Sequence, residues 1–152
     1  MSKVKLKNGY FGIGLFQMKN RLNLGTLWRS AVNLNANFIF VIGKRFKREA
    51  FDTVNAFKKI PLYEYDNFEQ FYDNIPYSCQ LICVEQTDKS KPLSEFKHPN
   101  HCIYLLGSED GGLPEKVLKN KQVIHIETKS CLNVAVAGSI IMYDRMKELC
   151  NI

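Results

Sequence analysis

Two neighbouring carboxylates, Glu109 and Asp110, stand in a glycine-rich stretch that follows an apolar run at residues 102–106. Gly107 ends that run, and two more glycines and a proline follow the carboxylates. A strand, a glycine loop and a helix start in this order are typical of a ligand-binding corner of an α/β sheet. Loops that bind phosphate usually add a lysine and helix-start N–H groups. Two carboxylates would repel phosphate, so this stretch favours a cationic or neutral ligand.

Two asparagines and an arginine add further polar groups. Asn23 precedes apolar residues at helical spacing, so we predict that it is the N-cap of a helix as well as a site residue. Arg29 lies about two turns into the same helix. Asn133 is placed to cap the last helix, and a cap alone would explain either asparagine.

Three predicted loops follow strands, at residues 17–29, 107–114 and 127–133. The carboxyl ends of parallel strands meet at one edge of a sheet, where ligands bind. We therefore expect polar side chains of these loops to be neighbours, although strand order does not follow from the sequence. The expected neighbours are Asn23, Arg29, Glu109, Ser130, Cys131 and Asn133.

Strand-like and helix-like segments alternate along the chain. The alternation predicts an α/β fold with a mainly parallel sheet flanked by helices, in a single domain of residues 1–152. The glycines of the first strand predict a close approach of another backbone. The predicted strands are residues 10–16, 38–42, 61–65, 79–84, 102–106 and 123–126. The predicted helices are residues 23–34, 52–58, 67–74, 114–119 and 133–149, with a weak one at 93–96.

The positive charge is concentrated in the N-terminal part of the chain. The net charge is +6, but residues 1–60 hold twelve Lys and Arg against two acids, whereas residues 61–152 are net acidic. This asymmetry favours an anionic partner, with nucleic acid first and an acidic membrane surface second; a solvated basic face is the plainer alternative. Four cations surround Phe46, which could stack on a base: Lys44, Arg45, Lys47 and Arg48.

The cysteines and histidines do not indicate a metal site. The five cysteines include no C-x-x-C pair, and the three histidines lack ligand spacing. We therefore expect reduced thiols and no metal. No signal-peptide core follows the N-terminus, and the longest apolar segment, residues 132–142, is too short to span a bilayer. We expect a soluble cytoplasmic protein that does not bind membranes.

Three segments carry a family resemblance. Residues 23–31, 106–114 and 131–137 resemble, in order and spacing, the three signature motifs of the SpoU/TrmH branch of the SPOUT RNA 2′-O-ribose methyltransferases. The resemblance covers about residues 10–149. It implies a C-terminal trefoil knot, S-adenosylmethionine as methyl donor and a ribose 2′-hydroxyl of tRNA or rRNA as acceptor. It also implies a homodimer that packs partly through the last helix, with each active site near the subunit boundary.

The resemblance assigns residue roles. The catalytic residues would be Arg29, Asn23, Glu109 and Asn133. The cofactor-binding residues would be Leu106, Gly107, Ser108, Glu109, Ile126, Cys131, Leu132 and Asn133. The RNA-binding residues would be Arg29, Lys44, Arg45, Lys47 and Arg48. Since arginine stays protonated, we expect Arg29 to orient the hydroxyl or hold a phosphate rather than to act as a free base.

Three positions depart from the family pattern. Cys131 and Ala135 stand where serine is usual, and Glu127 replaces a proline. Cysteine is the weaker hydrogen-bond partner, so the departures at Cys131 and Ala135 leave one alternative open, a knotted RNA-binding protein without catalysis. A nucleotide-binding enzyme of Rossmann type is a weaker alternative, because no G-x-G-x-x-G follows the first strand. The RNA and the nucleotide that is methylated do not follow from the sequence.

Overall fold

A single parallel sheet forms the centre of the molecule. The computed structural model describes residues 9–43 and 59–152. Its strands are β1 (Tyr10–Phe16), β2 (Phe38–Ile42), β3 (Leu62–Tyr65), β4 (Gln80–Val84), β5 (Lys91–Pro92), β6 (His101–Leu106) and β7 (Gln122–His125). Its helices are α1 (Arg21–Asn33), α2 (Phe68–Asp73), α3 (Glu115–Leu118) and α4 (Val134–Cys150), with a 3₁₀ turn at Leu93–Glu95.

The strand order is β3-β2-β1-β6-β4-β7-β5, and all the pairings are parallel. The predicted α/β class with a mainly parallel sheet is therefore confirmed. Strands 10–16 and 38–42 were predicted to the residue, and the other long strands to within one residue. The two-residue β5 was missed. The trefoil knot stays a prediction, and the predicted helix 52–58 lies outside the described residues.

Helices cover both faces of the sheet. On one face α1 and α4 pack on β1 through residues such as Leu27, Ile141 and Ile13. On the other face α2 and α3 pack on β2 and β6, and Phe71 is stacked on Phe40. Because both faces are covered, a central strand such as β2 is buried along its whole length, as its uninterrupted apolar sequence requires.

The helices α1 and α4 are in close contact. A Cβ at Gly138 would lie 2.5 Å from the Leu27 Cδ1 atom, so the glycine allows the helices to approach. The Ser139 hydroxyl donates to the Ser30 hydroxyl at 2.9 Å. None of the helices formed by residues 9–43 and 59–152 is long and apolar enough to cross a membrane.

A buried arginine joins α4 to the start of β6. Arg145 is fully buried, and its guanidinium lies 4.7 Å from the centre of the Phe11 ring. It donates to the carbonyls of Pro99 at 2.5 Å and Asn100 at 2.9 Å, and to the Tyr104 hydroxyl at 3.3 Å. These bonds fix the C-terminal half of α4 against the sheet edge that lies opposite the strands' carboxyl ends.

Candidate active site

A cleft of about 780 Å³ opens at the carboxyl ends of β4, β6 and β7. This is where the predicted loops 107–114 and 127–133 meet. All the residues expected to bind a cofactor line it: Leu106, Gly107, Ser108, Glu109, Ile126, Cys131, Leu132 and Asn133. The strand order brings these loops together, because β6 and β7 are separated only by β4.

The loop after β6 folds back on itself. Ser108 and Gly112 form a short antiparallel bridge, and the Gly112 N–H donates to the Ser108 carbonyl at 3.1 Å. A Cβ at Gly107 would lie 2.4 Å from the Gly112 carbonyl carbon, so a side chain at this position would collide with backbone. Gly112 has a φ of +59°, which favours glycine. The two glycines therefore permit this tight loop, and residues 107–113 line the cleft.

Glu85, at the end of β4, supports the same loop from the side. Its carboxylate accepts hydrogen bonds from the backbone N–H of Leu113 at 2.8 Å and of Gln86 at 3.0 Å. Our sequence reasoning missed this residue. Glu85 directly follows the buried β4, so the rule that selected Glu109 would also have selected it.

A chain of hydrogen bonds connects α1, the β6 loop and α4. The Asn23 side-chain N–H donates to the Glu109 carboxylate at 2.5 Å, and the Asn23 side-chain oxygen accepts from the Asn133 amide at 2.9 Å. The Asn133 oxygen accepts the N–H of Ala135 at 2.9 Å and of Val136 at 3.2 Å. Asn133 is thus both the N-cap of α4, as predicted, and part of the cleft wall.

The prediction that Asn23 caps α1 is wrong. The helix begins earlier, at Arg21, and its N-cap is Asn20, whose side chain accepts the Leu22 N–H at 2.9 Å. Asn23 lies inside the first turn and is buried, 5% exposed. Because Asn20 caps the helix, the Asn23 side-chain amide can form hydrogen bonds with Glu109 and Asn133 instead.

Glu109 is held as a carboxylate. Burial alone would raise its pKa, but hydrogen bonds from its own backbone and from Lys19, Asn23 and Asn20 outweigh burial and lower the pKa. The neighbouring Asp110 forms an ion pair with Lys19 at the surface. The cleft therefore presents a fixed negative charge at Glu109, close to neutral pH and above it.

The structure does not bring Arg29 into the cleft of its own chain. Arg29 lies on the exposed side of α1, about 240° around the helix axis from Asn23. Its side chain forms no hydrogen bond or ion pair with residues 9–43 and 59–152. Ser130 is exposed and lies outside the cleft lining. The cluster Lys44, Arg45, Lys47 and Arg48 lies outside the described residues.

The cysteine that departs from the family pattern is at the cleft. Cys131 is exposed and lines the wall, whereas Cys83 and Cys102 are buried within the sheet. Glu127, which stands in place of the usual proline, is hydrogen-bonded by the Ser94 hydroxyl. Ala135 is fully buried in the apolar core, so a polar side chain at this position would face apolar residues.

His98, Asp144 and Glu148 form a second polar group, at the C-terminal end of α4. One potential ligand atom from each lies within 4.8 Å of the others. The His98 Nε2 is 2.9 Å from the Asp144 carboxylate, and its Nδ1 is 2.5 Å from the Tyr104 hydroxyl. These hydrogen bonds already use both ring nitrogens. Our prediction that the protein needs no metal stays a prediction.

Comparisons with known proteins identify relatives of this chain. A model of the SpoU rRNA Methylase family matches residues 11–143. The Mus musculus protein tRNA (guanosine(18)-2'-O)-methyltransferase TARBP1 is 29% identical over 72 residues, which are 45% of this chain and 5% of that protein. The chain thus spans a small part of the length of the curated relative that it matches.

Several solved structures are similar in fold. A structure that gives insights into the 2-OH methylation of C/U34 on tRNA has a TM-score of 0.83 at 21% identity, over 95% of this chain and 99% of that one. The TrmH/SpoU tRNA modifying enzyme of A. aeolicus has a TM-score of 0.81 at 18% identity, over 94% and 80%. The AdoMet-bound rRNA methyltransferase of Sinorhizobium meliloti has a TM-score of 0.79 at 22% identity, over 93% and 57%.

Proposed function

The chain belongs to the SpoU rRNA Methylase family, and we propose that it transfers a methyl group from S-adenosylmethionine to a ribose 2′-hydroxyl of tRNA or rRNA. The observation that carries the proposal is the cleft in which the two C-terminal motif loops meet and Asn23, Glu109 and Asn133 are hydrogen-bonded in series. The acceptor is supported by the mouse relative, a 2′-O-methyltransferase of tRNA.

The residues of the cleft fit S-adenosylmethionine. The volume of about 780 Å³ suits a ligand of this size. Leu106, Ile126 and Leu132 would form an apolar wall for its adenine, and the tight loop at Gly107 would let the adenine approach the backbone of residues 107–113. When bound, the cofactor supplies a methyl group on a positively charged sulfur. The Sinorhizobium meliloti structure supports this assignment because it contains AdoMet.

Charge also favours the methyl donor over the demethylated product. Glu85, Glu109, Asp110 and Glu115 line the cleft, and Lys19 pairs with Asp110 at its rim. A sulfonium is attracted by this field, whereas the thioether that remains after transfer has no charge on sulfur. The carboxylates therefore help the cleft to bind the donor, to keep phosphate out and to release the product.

We also propose that the protein acts as a homodimer. An exposed apolar stripe begins just before α4 and follows it; Leu132, Val136, Ile140 and Tyr143 are 37%, 46%, 37% and 55% exposed. Arg29 lies on the outer side of α1, which packs against α4 through Ser30. In a dimer built on this surface, Arg29 of one chain would reach the cleft of the other.

In this arrangement the protein acts mainly by positioning its substrates. Arg29 would hold a phosphate or orient the 2′-hydroxyl, since a guanidinium does not give up its proton. Asn23 and Asn133 would fix Glu109 and the start of α4 around the donor. Lys44, Arg45, Lys47 and Arg48 would bind the RNA backbone.

The test is incubation of the purified protein with cellular tRNA and rRNA and S-adenosylmethionine labelled in its methyl group. We expect label in one RNA class, 2′-O-methylation at a mapped nucleotide, and donor binding by calorimetry. Absence of both label and donor binding would refute the proposal. RNA binding without label would instead support the non-catalytic RNA-binding protein, the alternative to which Cys131 and Ala135 point.

A further inference from the structure

A row of aromatic rings crosses four adjacent strands at the amino-terminal edge of the sheet, opposite the cleft. It runs from His101 on β6 through Tyr10 on β1 and Phe38 on β2 to Tyr63 on β3. Successive ring centroids are 6.5, 5.8 and 5.6 Å apart. The row is thus continuous across the sheet, and none of its residues has a part in the proposed methyl transfer.

The sheet itself creates this row. Tyr10 and His101 are paired in register. Gly12 leaves space above β1, since a Cβ there would lie 2.3 Å from the Phe38 ring. Phe38 is buried and forms the floor, while Tyr10 and Tyr63 are 38% and 48% exposed. The rings therefore form a continuous aromatic surface in which Phe38 is buried and the Tyr10 and Tyr63 rings are accessible to solvent.

The charge of the described chain differs between the two edges of the sheet. The described segments that lead into the strands, β5 excepted, contain Lys59, Lys97, Lys119 and Lys121 and neither Asp nor Glu. The described segments that follow the strands contain three lysines and six acids, which are Asp66, Glu85, Asp88, Glu109, Asp110 and Glu127. The connecting segments are therefore basic at the amino-terminal edge and acidic at the cleft edge, although α4 adds two carboxylates, Asp144 and Glu148, beside His98 at the amino-terminal edge.

One of these lysines also lies against an aromatic ring. On the face of the sheet that carries Phe38, the Lys121 ammonium lies 4.6 Å from the centre of the exposed Tyr72 ring. Aromatic rings beside lysines are the combination that binds single-stranded nucleic acid, by base stacking and phosphate attraction.

We propose that this aromatic row is a second RNA-binding surface, which stacks unpaired bases of the substrate RNA while the lysines around it bind the phosphates. The inference rests on the proposed function, because it takes the substrate to be RNA. The two edges are about 20 Å apart, the length of a strand of seven residues. One folded RNA can span this distance, so the row selects RNAs with an unpaired segment at that distance from the target ribose.

The experiment compares two matched double variants with the wild type. Tyr10→Ala with Tyr63→Ala removes the rings, and Tyr10→Phe with Tyr63→Phe keeps them but removes both hydroxyls. Fluorescence anisotropy with a fluorescein-labelled oligouridylate measures RNA affinity, and calorimetry measures S-adenosylmethionine affinity. We expect about tenfold weaker binding of the oligouridylate by the alanine variant. The phenylalanine variant should bind like the wild type, and all three proteins should bind the donor equally.

Lysine variants test whether the lysines near the aromatic row bind the RNA phosphates. Lys119→Gln with Lys121→Gln should weaken oligouridylate binding and reduce its salt dependence, whereas the alanine variant should keep the salt dependence of the wild type. Circular dichroism verifies that each variant is folded. Unchanged affinity in the alanine variant would overturn the proposal, and so would equal losses in the alanine and phenylalanine variants.

Subunit number and methyl transfer, measured on the same proteins, distinguish an RNA-binding row from a contact between subunits. If sedimentation shows that the alanine variant changes the subunit number, the row is a contact between copies of the chain and the proposal is wrong. If the wild type methylates no RNA but the alanine variant binds the oligouridylate more weakly than the wild type, the proposed function is wrong and the second RNA-binding surface is supported. If the wild type methylates RNA and the alanine variant binds the oligouridylate as tightly as the wild type, the proposed function is supported and the second RNA-binding surface is wrong.

Discussion

The Asn23 side chain donates a 2.5 Å hydrogen bond to the Glu109 carboxylate, across 86 positions of the sequence. This bond orients a carboxylate that stays charged, on a loop closed by glycines. The resulting negative charge at the cleft can be tested by changing the charge while keeping the shape of the side chain.

Glu109→Gln should weaken binding of S-adenosylmethionine about tenfold and binding of S-adenosylhomocysteine much less, because only the donor carries a sulfonium. Calorimetry with both ligands measures the difference. Asp110→Asn is the matched control, since Asp110 is exposed and paired with Lys19, and it should change either affinity only slightly. An equal loss for both ligands in Glu109→Gln would show that the charge does not select the donor.

Gly107→Ala should abolish donor binding, because its Cβ would lie 2.4 Å from the Gly112 backbone and the loop would have to open. Gly111→Ala is the control in the same loop, since the nearest atom to its Cβ would be the Ser108 hydroxyl at 3.5 Å. Calorimetry and thermal unfolding compare the two variants. Donor binding by Gly107→Ala at the wild-type level would mean that the loop is not part of the site.

Arg29→Ala should abolish methyl transfer and leave donor binding nearly intact, because Arg29 lies outside the cleft of its own chain. Labelled transfer to RNA and calorimetry give the two readouts. Arg21→Ala, another exposed arginine of α1, is the control and should retain transfer. Loss of donor binding in Arg29→Ala would contradict the role that we assign to this residue.

Cys131 should be the thiol that iodoacetamide modifies first, and saturating S-adenosylmethionine should protect it. Cys131 is exposed at the cleft, whereas burial raises the pKa of Cys83 to about 12 and also raises that of Cys102. Mass spectrometry of the alkylated peptides measures the rates. Equal rates with and without the donor would place Cys131 outside the cofactor site, and Cys131→Ser identifies its peptide.

The free energy of unfolding should decrease as the pH falls below about 6.5, the ordinary pKa of histidine. Burial lowers the pKa of His98, although its hydrogen bond to Asp144 and the charges of Asp144 and Glu148 oppose this, and Arg145 adds to the lowering. The unfolded chain therefore takes up the proton first, so stability is lost between pH 6.5 and the folded pKa. Urea unfolding across this range measures the slope.

His98→Gln should remove this part of the pH dependence, because it removes the buried imidazole. His101→Gln, at an exposed position, is the control and should keep the wild-type slope. If the slope survives in His98→Gln, another group is responsible for it.

Local sequence patterns predicted most helices and strands, whereas the start of α1 and the strand β5 depend on tertiary contacts. β1 and β2 are readable from sequence because buried parallel strands require uninterrupted apolar runs. The start of α1 was misplaced because Asn20 and Asn23 are equally good caps, and only the bonds to Glu109 and Asn133 separate them. The two residues of β5 carry no periodicity, so their pairing with β7 could not be predicted.

The burial of polar side chains was the largest feature that the sequence did not predict. Arg145 lies in a helix segment with acidic and basic neighbours, which is the usual pattern of an exposed face. Its burial depends on the carbonyls of Pro99 and Asn100, which a distant loop supplies. The glycines of β1 were expected to allow close approach of another backbone. This is confirmed at Gly14, where a Cβ would lie 2.4 Å from the Phe40 carbonyl oxygen, but at Gly12 the close neighbour is the Phe38 ring.

The hydrogen bond between Asn23 and Asn133 joins residues 110 positions apart. Because a chain is synthesised from its N-terminus, α1 is made well before Asn133 and α4, with which it is in contact. A chain that stops before residue 133 lacks the whole of α4 and the part of the cleft wall formed by Asn133, Val134 and Ala137. We therefore expect a chain truncated at this point to bind S-adenosylmethionine more weakly than the chain of 152 residues.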